Sequence, residues 1–166
     1  TLVFGRRSGE HAAERAKETI INNSITDTAS EKDKDFIQGL MDNDSKGPMF
    51  GKLRLEMGSV MNEHLSVYRE ENGMRLAGEK IQGLKKDYMN VYVPDKGKVF
   101  NTNLIFTLEL GFMLDCAETI VTGALERRES RGAHTRTDMP DRDDKNWLKH
   151  ILVKHSNNGP IVEHTP

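Results

Sequence analysis

The chain has 166 residues, 36% hydrophobic and 30% charged, with a net charge of −2. That length supports one domain with its own core. The near-neutral balance excludes a general field for nucleic acid, and with no apolar run near ~18 residues no membrane insertion is expected. The single cysteine, Cys116, excludes an intramolecular disulfide and fits a reducing compartment.

Residues 10–21 read as a helix, rich in Ala with Glu and Arg or Lys spaced for i,i+4 pairing. Asn22 to Ser30 is polar and reads as a linker and domain boundary. Ser30 followed by Asp33 resembles an N-cap, with a short helix over 31–42. Asp42–Pro48 is a loop whose acids miss the spacing of a calcium site. Three longer helices follow. In 49–67 the apolar seam is Phe50, Leu53, Met57, Val60, His64 and Val67. In 71–92 it is Met74, Ala77, Ile81, Leu84, Tyr88 and Val91. In 102–128 it is Phe106, Leu110, Met113, Ala117, Ile120 and Ala124, beside a second stripe of Ile105, Leu108, Phe112 and Cys116.

Three such seams close into an antiparallel three-helix bundle, spectrin-repeat-like, so the fold class is mainly α. The same pattern predicts His64 as a core histidine, Cys116 as a buried inert thiol and the methionines as gap-fillers. Gly73, Gly78 and Gly83 weaken the second long helix and allow close helix approach. Pro94–Gly97 is the turn into the third. Near the end, Asn-Gly within Ser156–Gly159 lies between two short apolar runs and predicts a β-hairpin. The six histidines and one cysteine show no zinc or haem spacing, and no phosphate-cradling glycine loop occurs.

The densest stretch is Glu126–Lys145, with six acids and six bases. Gly132 permits a sharp backbone excursion, Pro140 stops a helix, and Trp147 follows as an anchor. On its own this reads as a charged surface loop with one aromatic pin. It also resembles a known pattern. Arg128-Glu129-Ser130-Arg131-Gly132-Ala133-His134, then Arg136, Asp138, Pro140, Arg142-Asp143-Asp144, Trp147 and His150, is similar to the C-terminal signature of succinate dehydrogenase and fumarate reductase flavoprotein subunits. Phe4-Gly5-Arg6-Arg7-Ser8-Gly9 resembles the family's F-G-R-x-A-G, and Met61, His64, Val67 and Arg69 match its M-x-x-H-x-x-V-x-R. L-aspartate oxidases share the R-E-S-R-G part, so a C-terminal domain of that enzyme is the alternative. A stand-alone helical interaction module is a third.

The resemblance implies a piece of a longer subunit that interconverts succinate and fumarate through FAD and passes electrons to an iron–sulfur subunit. It implies residues 1–21 as the remnant of the last FAD-domain helix, 22–30 as linker, 31–130 as helical bundle domain and 131–166 as charged C-terminal extension. FAD belongs to the full-length subunit, and none is expected on this fragment, which carries no catalytic, cofactor or metal residue. The expected partners are the chain's own FAD-binding domain and the iron–sulfur subunit, at a cytoplasmic, peripheral position on the inner face of the membrane. Arg128, Glu129, Ser130, Arg131, Gly132, His134, Arg136, Asp138, Arg142, Asp143, Asp144, Trp147 and His150 are the docking or structural candidates. Arg131 and His134 are expected to point away toward a partner, while the remaining charges pair locally.

Overall fold

A computed structural model describes residues 1–20, 30–44, 46–156 and 158–166. The linker expected at 22–30 lies, apart from Ser30, outside the described residues. The chain divides into two compact units, Thr1–Phe36 and Ile37–Pro166. In the first, α1 runs from Leu2 to Glu18, eight residues longer at its start than the alanine-rich stretch predicts. It passes through Gly5 and Gly9. An Arg6–Glu10 pair one turn apart (2.8 Å) supports it, and Thr19 closes its end by donating from backbone and hydroxyl to the Arg15 carbonyl. Helix α2, Glu31–Asp42, starts in this unit with Glu31 and Asp33 in its first turn, where acids complement the helix dipole.

The second unit is built on α3 (Phe50–His64), α4 (Glu71–Tyr88) and α5 (Thr102–Glu126), which pack pairwise around one core. All six predicted seam positions around α4 are buried, with Met74, Ala77, Ile81 and Val91 wholly so. Full burial of Met74, Ile81 and Val91 contributes about 1.5–3 kcal/mol each. Leu53 and Met57 bring the α3 seam into the core, and Phe50 packs on Phe106 of α5 at 5.6 Å. The α3 helix stops at His64, so Val67 leaves the seam and is exposed.

The α5 seam is the main correction. The buried residues are Thr107, Leu110, Leu114, Ala117, Val121 and Ala124. Phe106 and Ile120 lie on the flank, and of the supposed second stripe Leu108 packs against the core while Ile105 and Phe112 face outward, Phe112 69% exposed. Cys116 is an exposed thiol rather than a buried one. The reason is that α5 is apolar almost all round, so more than one helical register satisfies the periodicity. Helix contacts choose between them. A Cβ at Gly111 would lie 2.7 Å from the Tyr88 hydroxyl, so a glycine lets α4 and α5 meet there. Of the α4 glycines, Gly78 sits against Val121 and Gly73 against His64, whereas Gly83 faces open space. Lys85 of α4 bridges Asp115 (2.8 Å) and Glu118 (2.6 Å) of α5 at the rim.

Buried Asn101 closes the turn before α5. Its side-chain oxygen accepts from the Leu104 amide (2.8 Å), capping the helix, while its amide donates to the carbonyls of Asp95 and Gly97. Lys96 reaches back to donate to the carbonyls of Met41 and Asn43. The hairpin forms as predicted, with β3 (His150–Lys154) antiparallel to β4 (Ile161–Thr165) and Gly159 at φ +102° in the turn. One face packs on α5, where Val153 approaches Gly123. Leu84→Ala and Leu110→Ala should each cost about 2–5 kcal/mol. The flanking Ile120→Ala should cost distinctly less, and Lys86→Ala should stay within about ±0.5 kcal/mol. Urea melts of the four variants measure this ranking, and an Ile120 loss equal to the Leu losses would restore the seam predicted from periodicity.

Candidate functional site

The charged stretch folds into a clasp between the end of α5, the α3–α4 connection and the hairpin. Two strands of two residues hold it: β1 (Tyr68–Arg69) and β2 (Thr135–Arg136), paired in parallel. The Thr135 amide donates to the Val67 carbonyl (3.2 Å) and the Thr137 amide to that of Arg69 (2.8 Å). Gly132, at φ +59°, turns the backbone so that Arg131 and His134 bridge each other. Ser130 ties the loop from within. Its hydroxyl donates to the Met139 carbonyl and accepts from the Arg136 amide, both at 2.8 Å.

Two charged side chains sit fully inside. The Glu129 carboxylate is wholly buried and accepts from Arg127 Nη1 (2.6 Å), Arg131 Nε (2.7 Å), Arg131 Nη2 (3.0 Å) and the Asp143 amide (2.7 Å). A buried carboxylate is tolerated only when its lone pairs are met in this way. The Arg131 fork, then the Asp143 amide and Arg127, hold its pKa at about 2 against the opposing effect of burial. The Arg136 guanidinium, also wholly buried, makes a two-pronged pair with Asp138 (2.7 Å on both prongs). That pair raises the Arg136 pKa and holds Asp138 at about 2.

Asp138 does a second job. Helix α4 starts at Glu71 without a side-chain cap of its own, and Asp138 accepts the Glu71 amide at 3.0 Å. A carboxylate from 67 residues away thus satisfies an open N–H at the positive end of the α4 dipole. Arg142 and Arg131 converge on Asp144 at 2.7 and 2.6 Å, and hold its pKa at about 2. Asp143 caps the one-turn helix α6 (Asp144–Trp147) through the Asn146 amide. The Trp147 ring then lies between Lys149 Nζ (4.4 Å), the Arg127 guanidinium (5.7 Å) and the edge of His164 (5.9 Å). His164 in turn approaches Glu126 at 3.1 Å, closing the hairpin onto α5.

The structure therefore brings nearly all of the predicted charged residues together, but not with the expected division of labour. Arg131 turns inward onto Glu129. His134 is half-buried, its Nδ1 3.0 Å from Arg69 Nη1 and its Nε2 3.3 Å from the Arg127 carbonyl. Neither points away. Sequence reasoning undervalued Arg127, which donates to Glu129 and to the carbonyls of Trp147 and Lys149. It also left out Glu71, which stands 3.6 Å from Arg136. The signal was available in part: a glutamate two residues from arginines on both sides, next to a glycine turn, can be neutralised within its own loop. Arg128 and His150 remain on the surface, as does Arg142, its side chain 61% exposed. Among the described residues no cluster has the make-up of a metal site, and no helix is long and apolar enough to cross a membrane.

The family described as fumarate reductase flavoprotein C-term matches residues 54–166, from the middle of α3 through the clasp and hairpin. The chain belongs to this family. It is 41% identical over 169 residues to a fumarate reductase flavoprotein subunit of Haemophilus influenzae, covering 99% of this chain and 28% of that subunit. It is 35% identical to a succinate dehydrogenase flavoprotein subunit of Rickettsia bellii, covering 97% of this chain and 27% of that subunit. A solved quinol fumarate reductase of E. coli matches with a TM-score of 0.89 at 35% identity, over 98% of this chain and 28% of that one. The chain thus spans between a quarter and a third of the length of these relatives.

Two tests follow from the clasp. Glu129, Asp138 and Asp144 have folded-state pKa values near 2, below those of an unfolded chain. Their contribution is complete above the ordinary carboxylate range and is lost as pH falls toward 2. Thermal melts between pH 6 and about pH 2 should show a falling Tm, and Glu129→Gln should flatten that slope while lowering Tm at pH 7. Asp138→Ala strands the buried Arg136 and frees the α4 end, at a cost of about 3–5 kcal/mol. Arg131→Ala should also lower the Tm of the chain itself. An unchanged Tm there would mean that the Arg131–Glu129 fork carries no stability.

Proposed function

We propose that this chain is the C-terminal helical part of an FAD-dependent subunit that interconverts succinate and fumarate and delivers or receives electrons through an iron–sulfur partner. The observation that carries the reading is 41% identity to a fumarate reductase flavoprotein subunit across 99% of this chain. The clasp supports it, because the R-E-S-R-G-A-H segment holds its shape through the charges the family pattern specifies. The tail from Arg142 to Lys149 is built into the same network, and this favours the reading over L-aspartate oxidase, whose resemblance ends earlier.

The chain's own role is structural and docking. It holds no flavin by itself; FAD belongs to the rest of the subunit. The exposed face of the clasp, carried by Arg128, Arg142 and His150, meets the FAD-binding domain or the iron–sulfur partner. Arg131, Glu129, Arg136 and Asp138 set the shape of that face from inside. The 22–30 segment joins a last flavin-domain helix to the bundle, and the extension from residue 131 completes the docking surface. The assembled enzyme sits in the cytoplasm, peripheral to the membrane.

A chimera tests the activity. The matching C-terminal segment of the H. influenzae subunit is replaced by this chain, and the product is assayed for bound flavin and for succinate-dependent dye reduction. A flavin-loaded chimera that is folded but inactive would count against the reading. Separately, the chain alone, mixed with excess FAD and desalted, should elute colourless. A stoichiometric yellow complex would reassign flavin binding to this region.

A further inference from the structure

A cleft of about 530 Å³ opens beside the clasp, between α5, the α3–α4 connection and β3. Arg69, His134, Arg127 and His150 line it on the polar side, and Ile120 and Val153 on the apolar side. The charges there are not balanced. Arg127 is spent on Glu129 and two carbonyls. Arg69 faces no carboxylate among the described residues. Its Nε donates to the Ser66 carbonyl (2.6 Å) and one Nη1–H goes to His134 Nδ1 (3.0 Å). The other guanidinium N–H groups find no acceptor among the described residues. Its pKa is lowered by burial, with no acid to offset it.

The histidine explains why this arrangement persists. A guanidinium can only donate, so His134 Nδ1 must be the unprotonated acceptor and Nε2 carries the hydrogen, which points at the Arg127 carbonyl. Burial first, then the nearby Arg69, Arg136 and Arg127, lower the His134 pKa and keep the ring neutral. The neutral ring orients the Arg69 fork without adding charge. Ile120, Ala124 and Val153 form an apolar wall opposite these donors, against which the hydrocarbon part of a bound acid can rest.

We propose that this cleft is a carboxylate-binding site, in which the open N–H groups of Arg69 grip one carboxylate and His134 holds the guanidinium in register. The carboxylate is carried on a small free acid or on an Asp or Glu side chain of a partner protein. A planar fork with unused donors matches a carboxylate's two oxygens, and a spherical anion would use only part of it. The proposal goes beyond the succinate–fumarate reading and stands on this chain's own residues.

The test is amide and histidine-ring NMR of the 166-residue chain at constant ionic strength. The probes are sodium acetate, sodium succinate, and a capped Gly-Glu-Gly peptide against its Gly-Gln-Gly counterpart. Saturable shifts at Arg69 and at the His134 ring are expected, weakened at least about tenfold in Arg69→Gln and unchanged in the distant Lys80→Gln. Ile120→Glu places a competing acid on the exposed wall and should abolish the response, which keeps the test open if the Arg69 variant fails to fold. A response to acetate or succinate supports a site for free acids. A response confined to the glutamate peptide supports a protein side chain as its source. No saturable shift with any probe, equal shifts with chloride, or shifts that survive both Arg69→Gln and Ile120→Glu would overturn the proposal.

Discussion

The arrangement of the C-terminal half hangs on one buried carboxylate. Glu129 gives up water entirely, and only a full set of donors makes that tolerable. Arg127 is the residue that caps the end of α5, Arg131 comes from the far side of the loop, and the Asp143 amide from the segment leading to α6. Satisfying one glutamate therefore fixes where the helix ends, where the loop reverses and where Trp147 begins. Arg136 mirrors it with the opposite charge. Its pairing with Asp138 places that acid at the start of α4, so the ion pair and the helix end are one device.

This accounts for a charge density that surface pairing would not explain. Exposed ion pairs add ~0–1 kcal/mol each. Were all these charges on the surface, their value would lie in recognition alone. Two of them have instead been moved inside, where removing one partner leaves a bare buried charge. The clasp is thus a rigid shelf, and the residues left on its rim present themselves from a fixed frame. Arg69 belongs to that frame, held from one side by a carbonyl and from the other by a neutral imidazole.

Much of the architecture was legible in the residues. The α4 seam read directly, because its apolar residues alternate with charged ones and only one register buries them. The hairpin followed from its Asn-Gly turn. The α5 register did not, because Phe106, Phe112 and Ile120 are as apolar as Leu110, Leu114 and Val121. The distinction lies in the close passage of Tyr88 over Gly111, a property of two helices together. Similarly, the charges of the clasp were visible but not their depth. Whether Arg131 turns inward depends on Glu129 being covered, and the cover comes from distant segments. The cysteine was misplaced with the α5 stripe, for the same reason.

The span of the clasp bears on how the molecule comes apart and together. The three helices are held largely by contacts among neighbours in sequence, whereas Arg69 meets His134 across 65 residues and Glu71 meets Asp138 across 67. Contacts of that separation bear the loop-closure entropy of everything between them, so they form late, after the helices have docked. Interactions missing from the folding transition state act on the unfolding rate. The clasp is then a kinetic latch: it does little to hasten assembly of the bundle, and it lengthens the time the finished bundle stays shut.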